Sequence, residues 1–557
     1  MEQKKVVLSR ECKFVVQGKA DNGLDVHYVK EITHFTDGTS EPVLRTVKNF
    51  KRPFFITKKA LRTHKQKKDY EDLKNVDRFE ATQKELPDAI ARALGTPWVK
   101  GGLKAICNSP YVYGVDTTAA ALIKHKYITE YKDKGPVTGH SVAVFDVETD
   151  VLNGTGEIIM ATMSYKKHVV TAVKRSFFNG FANPMESIQN EARRYLGKLI
   201  KDREIELDVV LVDTEIEVLR YVIGKAHKLK PDFMAVWNIE FDMKKIIDAC
   251  VRANINIADL LSDPSIPMND RYFVFNPGES SLTTASGVHK NYAPHHKWPV
   301  VNVPASFHWI DAMCAYKKVR NAKPEEKSYS LDNILKLNKI PEKLKFPEAD
   351  GLTGLAQHVF MQRNHPAKYV VYNQYDCVGM ELLDEATLDL SFSLPVLAGI
   401  SGFDIFHSNP KKLVDALHVY ALDNGKVMSS TGKVNGTEFD NRILGRKGWI
   451  VMLDPYMNED STGLNCISEN ALLTTNIRTA TYDADLSAAY PTNQRVTNCS
   501  KNTTKKEIIN IDISRELIPM CSINLSGGRT NAVTLGIDLF KLPSLDDLSN
   551  EYDRTTC

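Results

Sequence analysis

No uninterrupted apolar run in the 557 residues reaches the ~20 needed to span a bilayer as a helix, so no membrane partner is expected. The first residues, Met-Glu-Gln-Lys-Lys, lack the apolar core of a signal peptide. Nine cysteines are scattered from Cys12 to Cys557 without a C-x-x-C pair. That argues against a zinc site or a disulfide framework, and a reducing cytoplasm is the expected setting. There is no excess charge of one sign: the formal net charge is only +3, so any affinity for polyanions must come from local patches. With 43% apolar and 25% charged residues the chain has enough of both to build several globular domains, not a disordered tail.

One local absence matters. Between Arg45 and Lys68 there is no acid, while ten basic residues accumulate, Lys58, Lys59, Lys65 and Lys67 among them. Phe50, Phe54 and Phe55 are interleaved with them. Cations for phosphates and rings for bases suit single-stranded nucleic acid. The alternative is a solvated face around a small core. Around this stretch, residues 1–140 read as an N-terminal mixed α/β domain, with strands at Lys5–Leu8 and Phe14–Gln17 and a turn at Ala20–Gly23.

The stretch Ser141–Asp150, Ser-Val-Ala-Val-Phe-Asp-Val-Glu-Thr-Asp, organises the rest of the chain. Its β-branched and aromatic run predicts a buried strand. Alternation along a strand sends Asp146 and Glu148 to one side. Two anions held together on an apolar sheet are costly unless a cation lies between them. Carboxylate oxygens favour magnesium or manganese over zinc. A strand end with two solvated acids is the plain alternative.

The α/β pattern continues with strands predicted at Ile158–Ser164, His168–Ala172 and Val209–Val212, and helices at Met185–Lys201 and Glu215–Leu229. A buried strand then leads through Trp237-Asn-Ile-Glu-Phe-Asp242 into a helix starting near Asp242. Asp242 thus falls at a strand-to-helix junction, where it could ligate a metal or cap the helix. Residues 254–310 read as an irregular insertion whose His289, His295 and His296 lack metal-ligand spacing. A strand resumes at His308-Trp-Ile-Asp311, and Ser328-Tyr-Ser starts a serine-capped helix. In the helix predicted from Lys368 to Met380, Tyr372 and Asp376 are four apart and share a face.

Taken in order, Asp146-Val-Glu148, Asn238-Ile-Glu-Phe241-Asp242 and Tyr372-Asn-Gln-Tyr-Asp376 resemble the three exonuclease motifs of family B DNA polymerases, closest to the replicative type of tailed phages. Asp311 and Tyr316-Lys-Lys318 fit the same comparison. The resemblance implies an α/β multidomain fold whose nuclease domain, 141–388, has a ribonuclease-H-like mixed sheet. It implies a 3′→5′ proofreading exonuclease in which Asp146, Glu148, Asp242 and Asp376 hold two Mg2+ or Mn2+ ions. Tyr372 would orient the attacking water, and Asn238 and Phe241 would place the DNA 3′ end.

The resemblance extends further. Gly448-Trp-Ile-Val-Met-Leu-Asp-Pro455 is similar to the segment joining exonuclease and palm, with Lys447 where a small residue is usual. Asp485-Leu486-Ser487-Ala-Ala-Tyr490-Pro resembles polymerase motif A, with Ala488-Ala489 in place of Ser-Leu. By that resemblance Asp485 would bind metal, Asp485, Leu486 and Ser487 would hold a deoxynucleoside triphosphate, and Tyr490 would exclude a 2′-hydroxyl. The fingers motif K-x-x-x-N-S-x-Y-G and the palm motif D-T-D do not occur between Thr492 and Cys557. The expectation is therefore a partial palm at 455–557, preceded by a return to the N-terminal domain over 389–454. Either a separate C-terminal polymerase polypeptide completes the palm or the chain is a truncated product, and a sliding clamp would be a further partner. If the chain is phage-encoded, the host cytoplasm is its site. A stand-alone DEDD exonuclease needs only the first three motifs, and motif A argues against it. A nucleic-acid-binding module without catalysis is the other rival, and the intact carboxylates argue against it.

Overall fold

The computed structural model describes residues 5–18, 25–65, 67–96, 102–283 and 289–430, with short pieces at 492, 495–496, 498, 505–508, 522–525, 528–531 and 553–556. The turn expected at Ala20–Gly23 lies outside these residues, as does the segment Gly448–Pro455. The chain divides into two units, Met1–Val434 and Asn435–Cys557. Among the described residues no helix is long and apolar enough to cross a membrane.

The first unit begins with an antiparallel sheet of β1 (Val7–Gln17), β2 (Val26–Phe35) and β3 (Ser40–Lys48). The two strands expected at its start are one. The charged residues Arg10, Glu11 and Lys13 break the apolar run in the sequence, but β1 passes through them with register shifts at Val7/Ser9 and Cys12/Phe14. The Lys13 ammonium there donates to Glu11 and to the carbonyl and hydroxyl of Thr138, each at 2.7 Å, so the charge has partners from outside the sheet. Next come β4 (Arg52–Thr57), β5 (Tyr70–Asp72), β6 (Val76–Ala81), α1 (Leu86–Leu94), α2 (Gly102–Ile106), β7 (Val112–Tyr113) and α3 (Ala119–Glu130). Strand β4 is central in a small sheet ordered β6-β4-β7.

The main sheet has six strands: β8 (Val142–Thr149), β9 (Ile158–Tyr165), β10 (His168–Lys174), β11 (Glu206–Val212), β12 (Phe233–Val236) and a last strand, His308–Asp311. Helices α4 (Pro184–Asp202), α5 (Glu215–Leu229), α6 (Ile239–Arg252) and α7 (Ile257–Leu261) fall between them. The insertion before the last strand is less irregular than expected. It holds β13 (Val274–Asn276) paired with β16 (Val300–Asn302), and a hairpin of β14 (Ser281–Thr283) and β15 (His289–Asn291). His308–Asp311 is then β17. The spatial order is β11-β10-β9-β8-β12-β17. Strand β9 runs antiparallel to β8 and β10, while β8, β12 and β17 are parallel and so are β10 and β11.

Alternation sorts β8 into two faces. Ala143, Phe145 and Val147 join a core with residues of α5 and α6. Val144 joins the opposite core, built with α8 (Ala312–Val319), α9 (Leu331–Leu337) and α11 (Pro366–Thr387). Between α9 and α11 lies α10 (Leu355–Asn364). After α11 come α12 (Leu394–Ala398), α13 (Asn409–Asp423) and β18 (Lys426–Met428), which pairs antiparallel with β5 far back in the chain. A buried pair fastens the N-terminal sheet to the main one: Lys30 of β2 lies 3.7 Å from Asp232 and donates to the carbonyls of Ser306, Lys230 and Pro231.

In the second unit, β19 (Lys505–Ile508) pairs antiparallel with β22 (Asp553–Thr556), and β20 (Ser522–Leu525) with β21 (Gly528–Asn531).

Candidate metal centre

Strand β8 is longer than expected and carries Asp146 and Glu148 inside it, opposite Thr162 and Met160 of β9. Their side chains leave the sheet on the face that α11 crosses. From α11, the Asn373 amide donates to Asp146 Oδ2 at 2.6 Å, and the Tyr369 hydroxyl donates to Glu148 Oε2 at 2.5 Å. Asp376 lies on the same helix face, and one oxygen each of Asp146, Glu148 and Asp376 lie within 4.8 Å of one another.

Asp242 arrives from the other direction. After β12 ends at Val236, Asn238 takes a left-handed conformation (φ 69°) and turns the chain into α6. The helix begins at Ile239, earlier than expected, so Asp242 is in its first turn and does not cap it. Its Oδ1 instead accepts from the Val147 N–H at 3.4 Å, the residue between Asp146 and Glu148. Asp311 does the capping. Its Oδ2 accepts from Ile239 N and its Oδ1 from Cys314 N, both at 2.8 Å, so one buried carboxylate anchors the starts of α6 and α8. Burial pushes its carboxyl up to about 6, against those two bonds.

The electrostatics follow from four acids under little solvent. Burial raises Asp146 well above the ordinary carboxylate range, reinforced by Asp242, Glu148 and Asp376. Asp242 is raised likewise by burial, with Glu148 adding repulsion. Burial also lifts Glu148, to about 7, while the Tyr369 hydroxyl pulls the other way. Asp376 is raised by burial although Lys343 opposes the shift. The Lys343 ammonium lies 2.5 Å from Asp376 Oδ2 and 3.2 Å from the Tyr372 hydroxyl. Burial works against its charge, but Asp376, Tyr372 and Asp146 together hold it above the usual lysine range.

One ammonium does not balance four carboxylates. Among the described residues, Asp376 Oδ1 is buried without a hydrogen-bond partner. An all-oxygen donor set with an orphaned oxygen and mutually repelling acids fits hard divalent cations such as Mg2+ or Mn2+.

Asn238 is half-buried at the junction, whereas Phe241 is 49% exposed with the Lys245 ammonium 5.5 Å from its ring centre. The basic run is divided in use. Lys58, Lys59 and Lys65 are exposed, while Lys67 is half-buried and donates to the Cys107 carbonyl. Arg52 is buried against the carbonyls of Val115 and Thr117, and Arg62 bonds to those of Thr57 and Leu94. Phe54 and Phe55 are not stacking platforms. As neighbours on β4 they point to opposite sides and fill two separate cores. Asp485, Leu486, Ser487 and Tyr490 lie outside the described residues.

Several contributors escape sequence reasoning. Tyr369 and Asn373 share the α11 face with Tyr372 and Asp376, and a full helical wheel from the third motif would have found them. Lys343 sits in the loop after α9 and carries no local signal. Linear spacing also misses Glu325. The fold brings it to His296 at 3.0 Å and close to His295, but Lys317 already lies 3.4 Å from the same carboxylate oxygen.

No family model matches the chain, and no curated protein matches it.

Proposed function

We propose that this chain is the N-terminal part of a family B DNA-directed DNA polymerase, whose nuclease domain removes nucleotides from DNA 3′ ends. The observation that carries the reading is the convergence of Asp146, Glu148 and Asp376, with Asp242 bonded to the backbone between the first two. The sheet order β10-β9-β8-β12-β17, with only β9 antiparallel to β8, supports a ribonuclease-H-like nuclease with β11 added at the edge.

Asp146, Glu148, Asp242 and Asp376 would hold two Mg2+ or Mn2+ ions. When bound, such ions supply Lewis-acid stabilisation of the attacking and leaving oxygens of a phosphodiester. The protein supplies the rest. Tyr372, fixed by Lys343, directs its hydroxyl beside Asp376, where it can orient a water. Lys343 offers a positive charge where charge develops on the phosphate. Phe241, with half its surface free, offers a ring on which a frayed terminal base can stack. Exposed Lys58, Lys59 and Lys65 would add non-specific contacts to the DNA strand.

Motif A supports the polymerase half of the reading: Asp485 as metal ligand, Leu486 and Ser487 at the triphosphate, Tyr490 against the 2′-hydroxyl. That half also needs the fingers motif with its lysine and the palm motif with the second carboxylates, neither of which occurs between Thr492 and Cys557. The test of the nuclease is hydrolysis of 3′-end-labelled single-stranded DNA in Mg2+ or Mn2+, with EDTA as control.

A further inference from the structure

Glu148 is the one site carboxylate held by a tyrosine, and that tyrosine is itself held. Tyr369 is 2% exposed, and its hydroxyl has a single proton. That proton goes to Glu148 Oε2 at 2.5 Å. His358 Nδ1 lies 2.8 Å from the same hydroxyl oxygen. When Glu148 is deprotonated, as metal ligation requires, the tyrosine's proton is committed to the carboxylate, and the contact is a hydrogen bond only if Nδ1 carries the hydrogen. With Glu148 ionised, the two distances fit the Nδ1–H tautomer of a neutral imidazole. Neutrality agrees with the half-buried position of His358, where burial first, and the nearby Lys343 second, hold it below its ordinary value.

The imidazole has a second contact. Its ring meets both tyrosines edge-on, Tyr369 at 5.8 Å and Tyr372 at 6.1 Å between centres. Those two rings are stacked on each other, 5.9 Å apart and 6° from parallel. One turn along α10 from His358, Gln362 fastens the same helix to the end of β8. Its Nε2 donates to the Thr149 carbonyl at 2.8 Å, and its Oε1 accepts from the N–H groups of Val151 and Leu152, each at 3.1 Å. Helix α10 therefore grips the strand next to Glu148 with one residue and the tyrosine that orients Glu148 with another.

We propose that His358 is a positioning residue for the metal centre, donating Nδ1–H to Tyr369 so that the tyrosine hydroxyl is fixed on Glu148 and presents the other carboxylate oxygen to a divalent ion. The proposal rests on the metal-centre reading and adds α10 to it. Outer partners that orient a ligand commonly change metal affinity by about 10–100-fold when removed.

The experiment is Mn2+ binding to the whole chain, read by the loss of the free-ion electron paramagnetic resonance signal, without DNA. His358→Phe keeps a ring against Tyr369 and Tyr372 and removes the donor. His358→Asn keeps a donor near the Nδ1 position. Tyr369→Phe removes the hydroxyl. The expected result is an affinity weaker by about tenfold or more in His358→Phe and Tyr369→Phe, largely restored in His358→Asn, with unchanged melting temperatures. Wild-type affinity in His358→Phe alongside a loss in Tyr369→Phe overturns the role of the imidazole while leaving the metal centre standing. A wild-type chain that binds no Mn2+ removes both. A measurement on the unmutated protein guards against a variant that fails to fold. Nitrogen-15 shifts of His358 should report Nδ1–H in the Mg2+-loaded chain, where Glu148 is deprotonated, and an Nε2–H tautomer there would overturn the proposal.

Discussion

Lys343 and Asp376 are 33 positions apart in sequence, yet their side chains meet at 2.5 Å in the middle of the carboxylate cluster. The pair is lopsided, because Asp376 is only one of four acids there. Replacing Lys343 by Met should let the Asp376 carboxyl rise further, since the ammonium is what opposes burial at that site. Nuclease activity should fall by about a hundredfold, with the surviving activity displaced to higher pH. A pH–rate profile of Lys343→Met checks this, and an unchanged profile would assign Lys343 to packing alone.

The metal-free chain should lose stability as pH rises through the site's own window. Glu148 is raised from an ordinary value of 4.5 to about 7, so the folded state holds a proton there that the unfolded state has given up. Where the folded state binds more protons, stability falls with rising pH. In EDTA, the melting temperature of wild type relative to Glu148→Gln should therefore decline between about pH 4.5 and pH 7. Mn2+ should reverse the trend, since ligation needs the deprotonated form and becomes stronger as protons leave. A wild-type-minus-variant difference that rises with pH in EDTA would be the wrong sign for a buried acid.

The division within the basic run predicts unequal lysines. Alanine at Lys58, Lys59 and Lys65 should each flatten the log–log salt dependence of single-stranded DNA binding by ~0.7 if the side chain contacts a phosphate. Lys67→Ala should leave the slope unchanged and lower stability instead, because its ammonium is engaged with the Cys107 carbonyl. Fluorescence anisotropy over a salt series separates the two. Equal slopes in wild type and the triple variant would return the stretch to an ordinary solvated face.

Local periodicity makes some of these relations legible in the sequence. Asp146 and Glu148 could be placed on one strand face, and Tyr372 and Asp376 on one helix face, because neighbours along one element are fixed by its repeat. Glu215–Leu229 is helical to the residue, since its apolar spacing and Thr214-x-x-Glu217 capping box are both local. Relations that depend on distant contacts were not legible. Lys343 reaches Asp376 from a loop, and β1 continues through charges because Thr138 receives Lys13. The phenylalanines beside the lysines looked like a binding surface because composition cannot tell which side of β4 each ring faces, or that both sides are buried.

Lys30 and Asp232 provide a test of how the first unit is held together. Both are buried, and burial draws the lysine down to about 8 despite the attraction of Asp232. Lys30→Met would leave Asp232 without its counter-ion and three carbonyls without their donor. It should cost about 3–5 kcal/mol, as removal of one partner from a buried pair does. Urea denaturation measures the loss, and adding Asp232→Leu should recover much of it by removing the stranded charge. No loss in the single variant would show that water replaces the ammonium.

The central claim is tested most directly by incubating the purified chain with 3′-end-labelled single-stranded DNA and Mg2+ or Mn2+. Mononucleotides should be released from the 3′ end, and EDTA should stop the reaction. Asp146→Ala and Asp376→Ala should lower the rate by orders of magnitude while the melting temperature is kept. Tyr372→Phe should cost only about ten- to a hundredfold, because it removes an orienting hydroxyl and leaves the ligands in place. A properly folded wild-type chain with no nuclease activity in either metal, or an Asp146→Ala variant at the wild-type rate, would contradict the account.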